Sequence, residues 1–241
     1  MEAGNQTCIS EFILLGLSEE VLLQPLLFWF FLFMYLVTFI GNLLIILAII
    51  TNSHLHTPMY FFLFNLSFSD ICFTSTTIPK MLWNIKTQSQ VITYEGCIIQ
   101  MYFFMLFGIL DNILLTVMAY DRYVAICQPL QYETIMDPCA CRHAVIAAWV
   151  AGGLSGLMHA AVNFSIPLCG EKVIHQFFCD VPQMLKLACS YEFINEIAVA
   201  AFTTSTAFIC LISIVLSYIR IFSAVLRIPS AEGRTKVFST C

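Results

Sequence analysis

The chain has 241 residues, of which 60% are hydrophobic, 14% aromatic and only 10% charged, with a formal net charge of −5. Soluble domains are roughly half apolar, so this composition excludes a water-soluble globular protein and points to a bilayer. Continuous apolar runs separated by polar, turn-rich segments also exclude an alternating barrel pattern.

Crossing about 30 Å of hydrocarbon takes about 20 mostly apolar helical residues. In chain order, Leu26–Ile50, Met59–Ile78, Ile98–Tyr120, Ala144–Ile166 and Ile197–Ile219 meet that requirement, predicting five spans in an all-α membrane protein. Residues 1–25 read as an extracellular N-terminal segment, 26–227 as the five-helix portion, and 228–241 as a cytoplasmic loop leading into a further helix. The N-terminal segment carries Glu2, Glu11, Glu19 and Glu20 but no Lys or Arg, which does not fit a cleavable signal peptide.

Orientation follows from charge. The stretch after the fifth span holds Arg220, Arg227, Arg234 and Lys236, which places that end in the cytoplasm and the N-terminus outside. The sequon Asn5-Gln6-Thr7 predicts glycosylation at Asn5 on the same topology. Sequons at Asn65 and Asn163 fall in or beside spans and read as chance matches.

This topology sorts the cysteines. Cys97, Cys169, Cys179 and Cys189 fall on the outer side, where disulfides persist, and the three possible pairings are not distinguished by spacing. Cys139-Ala140-Cys141 invites a metal reading, but no second His/Cys pair follows at zinc spacing, so no metal or cofactor is expected. Neither a nucleophile–base pair nor a line of charges across the spans is visible, which argues against an enzyme and against a transporter or channel.

Ionisable and polar groups at membrane depth usually face the bundle interior. Asp70, Asp111 and Asn42 are such groups, and Asn42 with Asp70 form a candidate polar network. Gly152 and Gly156 make a small-xxx-small pair suited to close helix packing. Asp121 and Arg122 stand together where the third span meets the cytoplasm, a position that a snorkelling arginine alone would explain.

The residues around that pair carry more. Met118-Ala119-Tyr120-Asp121-Arg122-Tyr123-Val124-Ala125-Ile126-Cys127-Gln128-Pro129-Leu130, followed by Tyr132, resembles the third-helix signature of the odorant receptors, a family of rhodopsin-like G-protein-coupled receptors. Leu55-His56-Thr57-Pro58-Met59-Tyr60-Phe61-Phe62-Leu63 with Asn65, Ser67 and Asp70 is similar to the family's first inner loop and second helix, Gly41-Asn42 to its first helix, and Ser217-Tyr218 to its fifth. Lys236 to Cys241 looks like the start of its sixth.

The resemblance implies the first five helices of a seven-helix bundle in the plasma membrane. It implies an odorant receptor that detects small, mostly apolar volatile molecules and signals through a heterotrimeric stimulatory G protein, with membrane lipid around it and no nucleic-acid partner. It assigns Asp121, Arg122 and Tyr123 to a switch in which Asp121 holds Arg122 until activation. It also implies the pairings Cys97–Cys179 and Cys169–Cys189, folding the long outer segment as a lid. Ligand contacts are expected from Phe104, Met105, Gly108 and Ile109 on the third span and from Phe202, Thr203 and Thr206 on the fifth. Phe104 stands where amine-binding relatives carry an acid, which argues against a cationic ligand. Because Cys241 falls where the sixth helix begins, a shortened receptor is expected, the alternative being a non-signalling membrane fragment that associates with other receptors.

Overall fold

A computed structural model describes residues 10–16, 22–165, 172–187 and 194–226. Its order is β1 (Glu11–Leu14), α1 (Gln24–Thr51), α2 (Pro58–Thr87), β2 (Val91–Thr93), α3 (Tyr94–Cys127), α4 (Tyr132–Ile135), α5 (Pro138–Phe164), β3 (Val173–Ile174), α6 (Val181–Lys186) and α7 (Ile194–Leu226). Among the described residues five helices are long and apolar enough to cross a membrane: α1, α2, α3, α5 and α7.

These spans run longer than the hydropathy windows, because the polar turns at their ends are helical too. The backbone groups left over at a helix start need partners, and local side chains supply them. Thr93 Oγ1 accepts from the Gly96 amide at 3.1 Å and starts α3. Asp137 accepts from the amides of Cys139 and Ala140 at 2.6 and 2.8 Å and starts α5 one residue before Pro138. α2 continues through Pro79 to Thr87, well past Ile78; Pro79 lacks the N–H that would bond four residues back, which loosens the helix at this point.

α3 is the centre of the bundle. It packs against α2, α5 and α7, while α1 leans mainly on α2. Burial follows the same order: 39% of the apolar window of α3 is buried but only 6% of that of α1, whose face of Trp29, Phe30, Phe33 and Val37 is left to lipid. Phe62, Leu106, Leu110, Leu114, Val124, Val145 and Ala148 fill the core between α2, α3 and α5. Trp149 of α5 reaches Asn65 of α2, with Nε1 3.4 Å from Oδ1.

Within the N-terminal segment, residues 11–14 form a strand. β1 is the central strand of a three-stranded sheet, antiparallel to β2 and parallel to β3. Phe12 pairs with Ile92, and Ile13 with both Val91 and Val173. Alternation sends Phe12 and Leu14 inward, 0% and 1% exposed, against Ile92, Cys97, Met101, Ile174, Cys179 and Met184. Burying each contributes about 1.5–3 kcal/mol. The sheet therefore has its own small core and caps one end of the bundle.

Candidate functional site

At the end of α3 opposite the sheet, Asp121 is 2% exposed and its Oδ1 accepts a hydrogen bond from the Tyr132 hydroxyl at 2.8 Å. Tyr132 opens α4 and swings back onto α3, since Pro129 ends the long helix with one tight turn. Burial, reinforced by the bond to Asp121, pushes the Tyr132 phenol well above its usual range, so it stays a donor. Arg122 is directed elsewhere, its guanidinium lying against the sulfur of Met59 at the start of α2. Adjacent residues on a helix point about 100° apart, so Asp121 takes the Tyr132 hydroxyl and Arg122 lies against Met59, while the Arg122 charge still acts on the Asp121 carboxylate. Tyr123 is reached by Gln128 Nε2 at 3.5 Å.

The capped end is tied to α3 by a disulfide between Cys97 and Cys179, with Cα atoms 5.4 Å apart. Beside it Gln100, 6% exposed, makes a second tie that sequence reasoning missed. Its Oε1 accepts from the Cys179 amide at 2.9 Å, and its Nε2 donates to the Thr76 carbonyl of α2 at 3.1 Å, near the loosened turn at Pro79. One amide thus joins α2, α3 and the lid. A lone glutamine in an apolar span was the only signal available in the sequence. Asp180 next to it is held above the usual carboxylate range by burial, an effect that the Val181 amide partly offsets. Cys169, Cys189 and Asn5 lie outside the described residues.

Below the lid, α3 and α7 carry the candidate ligand residues. The Phe104 ring sits between Phe73 of α2 at 4.9 Å and Phe178 of the lid at 5.2 Å. Met105 packs against the cap core, Ile109 is buried, and a Cβ on Gly108 would touch the Phe73 ring at 3.9 Å. On α7, Thr203 Oγ1 lies 3.2 Å from His159 Nε2 of α5, and Thr206 bonds back to the Phe202 carbonyl. Phe202 stands apart from the α3 group, 58% exposed. His159 was not singled out from the sequence, because a histidine in an apolar span gives no hint of which helix it faces.

The polar candidates are less connected. Asn42 donates to the Thr38 carbonyl of its own helix at 3.1 Å, with no bond to Asp70 among the described residues. Asp111 lies across from Ser69 and Asp70, and its Oδ1 is buried without a hydrogen-bond partner among the described residues. Cys139 and Cys141 diverge: Cys139 is exposed beside His143, whereas Cys141 is buried and directed to the Met136 carbonyl.

Comparison with known proteins agrees with this architecture. A family model described as olfactory receptor matches residues 31–241. Human olfactory receptor 14J1 is 67% identical over 237 residues, covering 98% of this chain and 74% of the relative. Gorilla olfactory receptor 1G1 is 54% identical and human olfactory receptor 7A17 56% identical, each over 241 residues, covering all of this chain and 77% and 78% of those relatives. Members of this family are receptors for odorants that couple to G proteins, not enzymes. The chain belongs to the olfactory receptor family, and its α1, α2, α3, α5 and α7 are the first five membrane-spanning helices of that family's seven-helix receptor bundle.

Proposed function

We propose that this receptor stands in the plasma membrane with its N-terminus and sheet cap outside, takes small, mostly apolar odorants beneath the cap, and signals through a stimulatory G protein. The division at residues 1–25, 26–227 and 228–241 follows from that topology, the last segment being the third cytoplasmic loop and the start of the sixth helix. Phe104, Met105, Gly108 and Ile109 form one wall of the ligand site and Phe202, Thr203 and Thr206 the other, an apolar lining with a few polar groups of the kind small-molecule sites use. Asn42 and Asp70 belong to the polar interior that the remaining helices complete, and Cys169 pairs with Cys189 in the lid.

The observation that carries the signalling role is the split between Asp121 and Arg122. Asp121 is buried and paired with Tyr132, while the Arg122 guanidinium lies against a thioether, a weak acceptor. Arg122 exchanges that contact for stronger acceptors on the G protein, and Tyr132, by holding Asp121, sets where the arginine can go. The two arrangements form a bistable element of the kind a ligand can bias.

Two measurements test this reading. With this chain joined to the C-terminal quarter of one of its relatives, Arg122→Ala is expected to reduce odorant-evoked cyclic AMP at least about tenfold, the loss of about 1.4 kcal/mol of coupling, at matched surface abundance. An undiminished response would reduce Arg122 to an interfacial charge. For orientation, endoglycosidase is expected to shift the gel mobility of the native chain but not of Asn5→Gln, and an unshifted native chain in glycosylating cells would reverse the assigned sidedness.

A further inference from the structure

The hydroxyls on the α7 wall have a direction, and it is fixed by their neighbours. His159 is 4% exposed, between α5 and α7. Its Nδ1 lies 2.8 Å from the Ser155 carbonyl, which can only accept, so Nδ1 carries a hydrogen. Its Nε2 faces Thr203 Oγ1 at 3.2 Å, and the same oxygen lies 2.9 Å from the Val199 carbonyl. A neutral His159 takes the Thr203 hydrogen at Nε2 or leaves it to Val199. A charged His159 donates from Nε2, and the Thr203 hydrogen goes to Val199. In every case the single hydrogen of Thr203 is spent inside the protein, and only lone pairs remain for a ligand.

Thr206 repeats the pattern, its hydrogen going to the Phe202 carbonyl at 2.9 Å. Phe104, Met105, Gly108 and Ile109 bring no side-chain donor at all. Asn163 steadies the arrangement from behind, its Nδ2 donating to the His159 carbonyl at 2.8 Å. Ser155 Oγ is buried, with no hydrogen-bond partner among the described residues.

We propose that the wall formed by Thr203 and Thr206, with His159 behind it, selects odorants that donate a hydrogen bond, alcohols above all, over aldehydes, ketones and esters of the same carbon skeleton. This rests on the reading that Thr203 and Thr206 line the odorant site. An alcohol gives its hydrogen to a threonine oxygen without disturbing the existing bonds. A carbonyl odorant leaves its oxygen unpaired in an apolar site or displaces a hydrogen already in use, and either costs about one hydrogen bond, about fivefold or more in affinity.

The test uses this chain in lipid nanodiscs, with octan-1-ol and octanal as probes and dissociation constants from ligand-observed NMR. The native chain is expected to bind octan-1-ol about fivefold or more tighter than octanal. In the Thr203→Val/Thr206→Val double variant that ratio falls to about one, while Thr203→Ser, which keeps the hydroxyl, retains the preference. If octanal binds the native chain as tightly as octan-1-ol and the valines weaken both, the wall touches the ligand but the proposed direction is wrong. If the valines change neither affinity, the placement of the wall fails and the selectivity claim with it.

Discussion

Gly152→Ala and Gly156→Ala are each expected to destabilise the bundle by about 1–3 kcal/mol, whereas Gly153→Ala, between them, leaves it unchanged or gains up to about 1 kcal/mol of helix propensity. A Cβ at Gly152 would stand 2.6 Å from the Leu106 carbonyl oxygen, and one at Gly156 2.7 Å from that of Tyr102. Both obstacles are backbone of α3, which no rotamer change can move aside. α3 and α5 would have to separate along the contact that buries Leu106, Leu110, Val145 and Ala148. In lipid, close packing is the main force holding helices together, so the separation is not recovered by burial elsewhere. At Gly153 nothing lies within 4 Å of the added carbon. Thermal unfolding of the three variants in one detergent is the measurement. Equal melting temperatures at 152 and 153 would overturn the contact.

Cys97→Ser and Cys179→Ser are each expected to cost about 2–5 kcal/mol, and the double variant little more than either alone, because both remove one bond. The bond closes 82 residues of sequence separation and joins α3 to the core of the sheet cap. Its loss leaves the lid held by Gln100 and by the strand pairings of β1, so hydrogen exchange should rise first at the amides of Ile13, Leu14 and Leu15. Non-reducing peptide mapping gives the independent check: a fragment joining Cys97 to Cys169 or Cys189 would refute the pairing. A cap that stayed protected in both serine variants would show that β1 and Gln100 secure it without the disulfide.

The residues that could be assigned from sequence were those whose role is set by solvent or by neighbours along the chain. Five spans were legible because a helix in lipid must satisfy its own backbone bonds, so length and hydropathy nearly determine it. Only their ends were misplaced, where Thr93, Asp137 and Pro138 extend the helices through polar turns that a hydropathy window reads as loop. Gly152 and Gly156 were legible by their spacing, and the motif around Asp121 and Arg122 by its length.

What the tertiary structure decided were the partners across the bundle. Glu11–Leu14 is too short and too plain in pattern to announce a strand; it becomes one because β2 and β3 offer edges on both sides. Asp121 and Arg122 adjoin in sequence but diverge on the helix, and only the return of the chain at Pro129 brings Tyr132 to the acid. Gln100 and His159 are polar residues in apolar helices. Their roles come from Thr76, Cys179 and Thr203, which are 24, 79 and 44 residues away and reach them only when the helices pack. Hydropathy is a property each segment has alone, whereas a hydrogen bond between helices exists only after both have been placed, and the sequence of one carries no mark of the other.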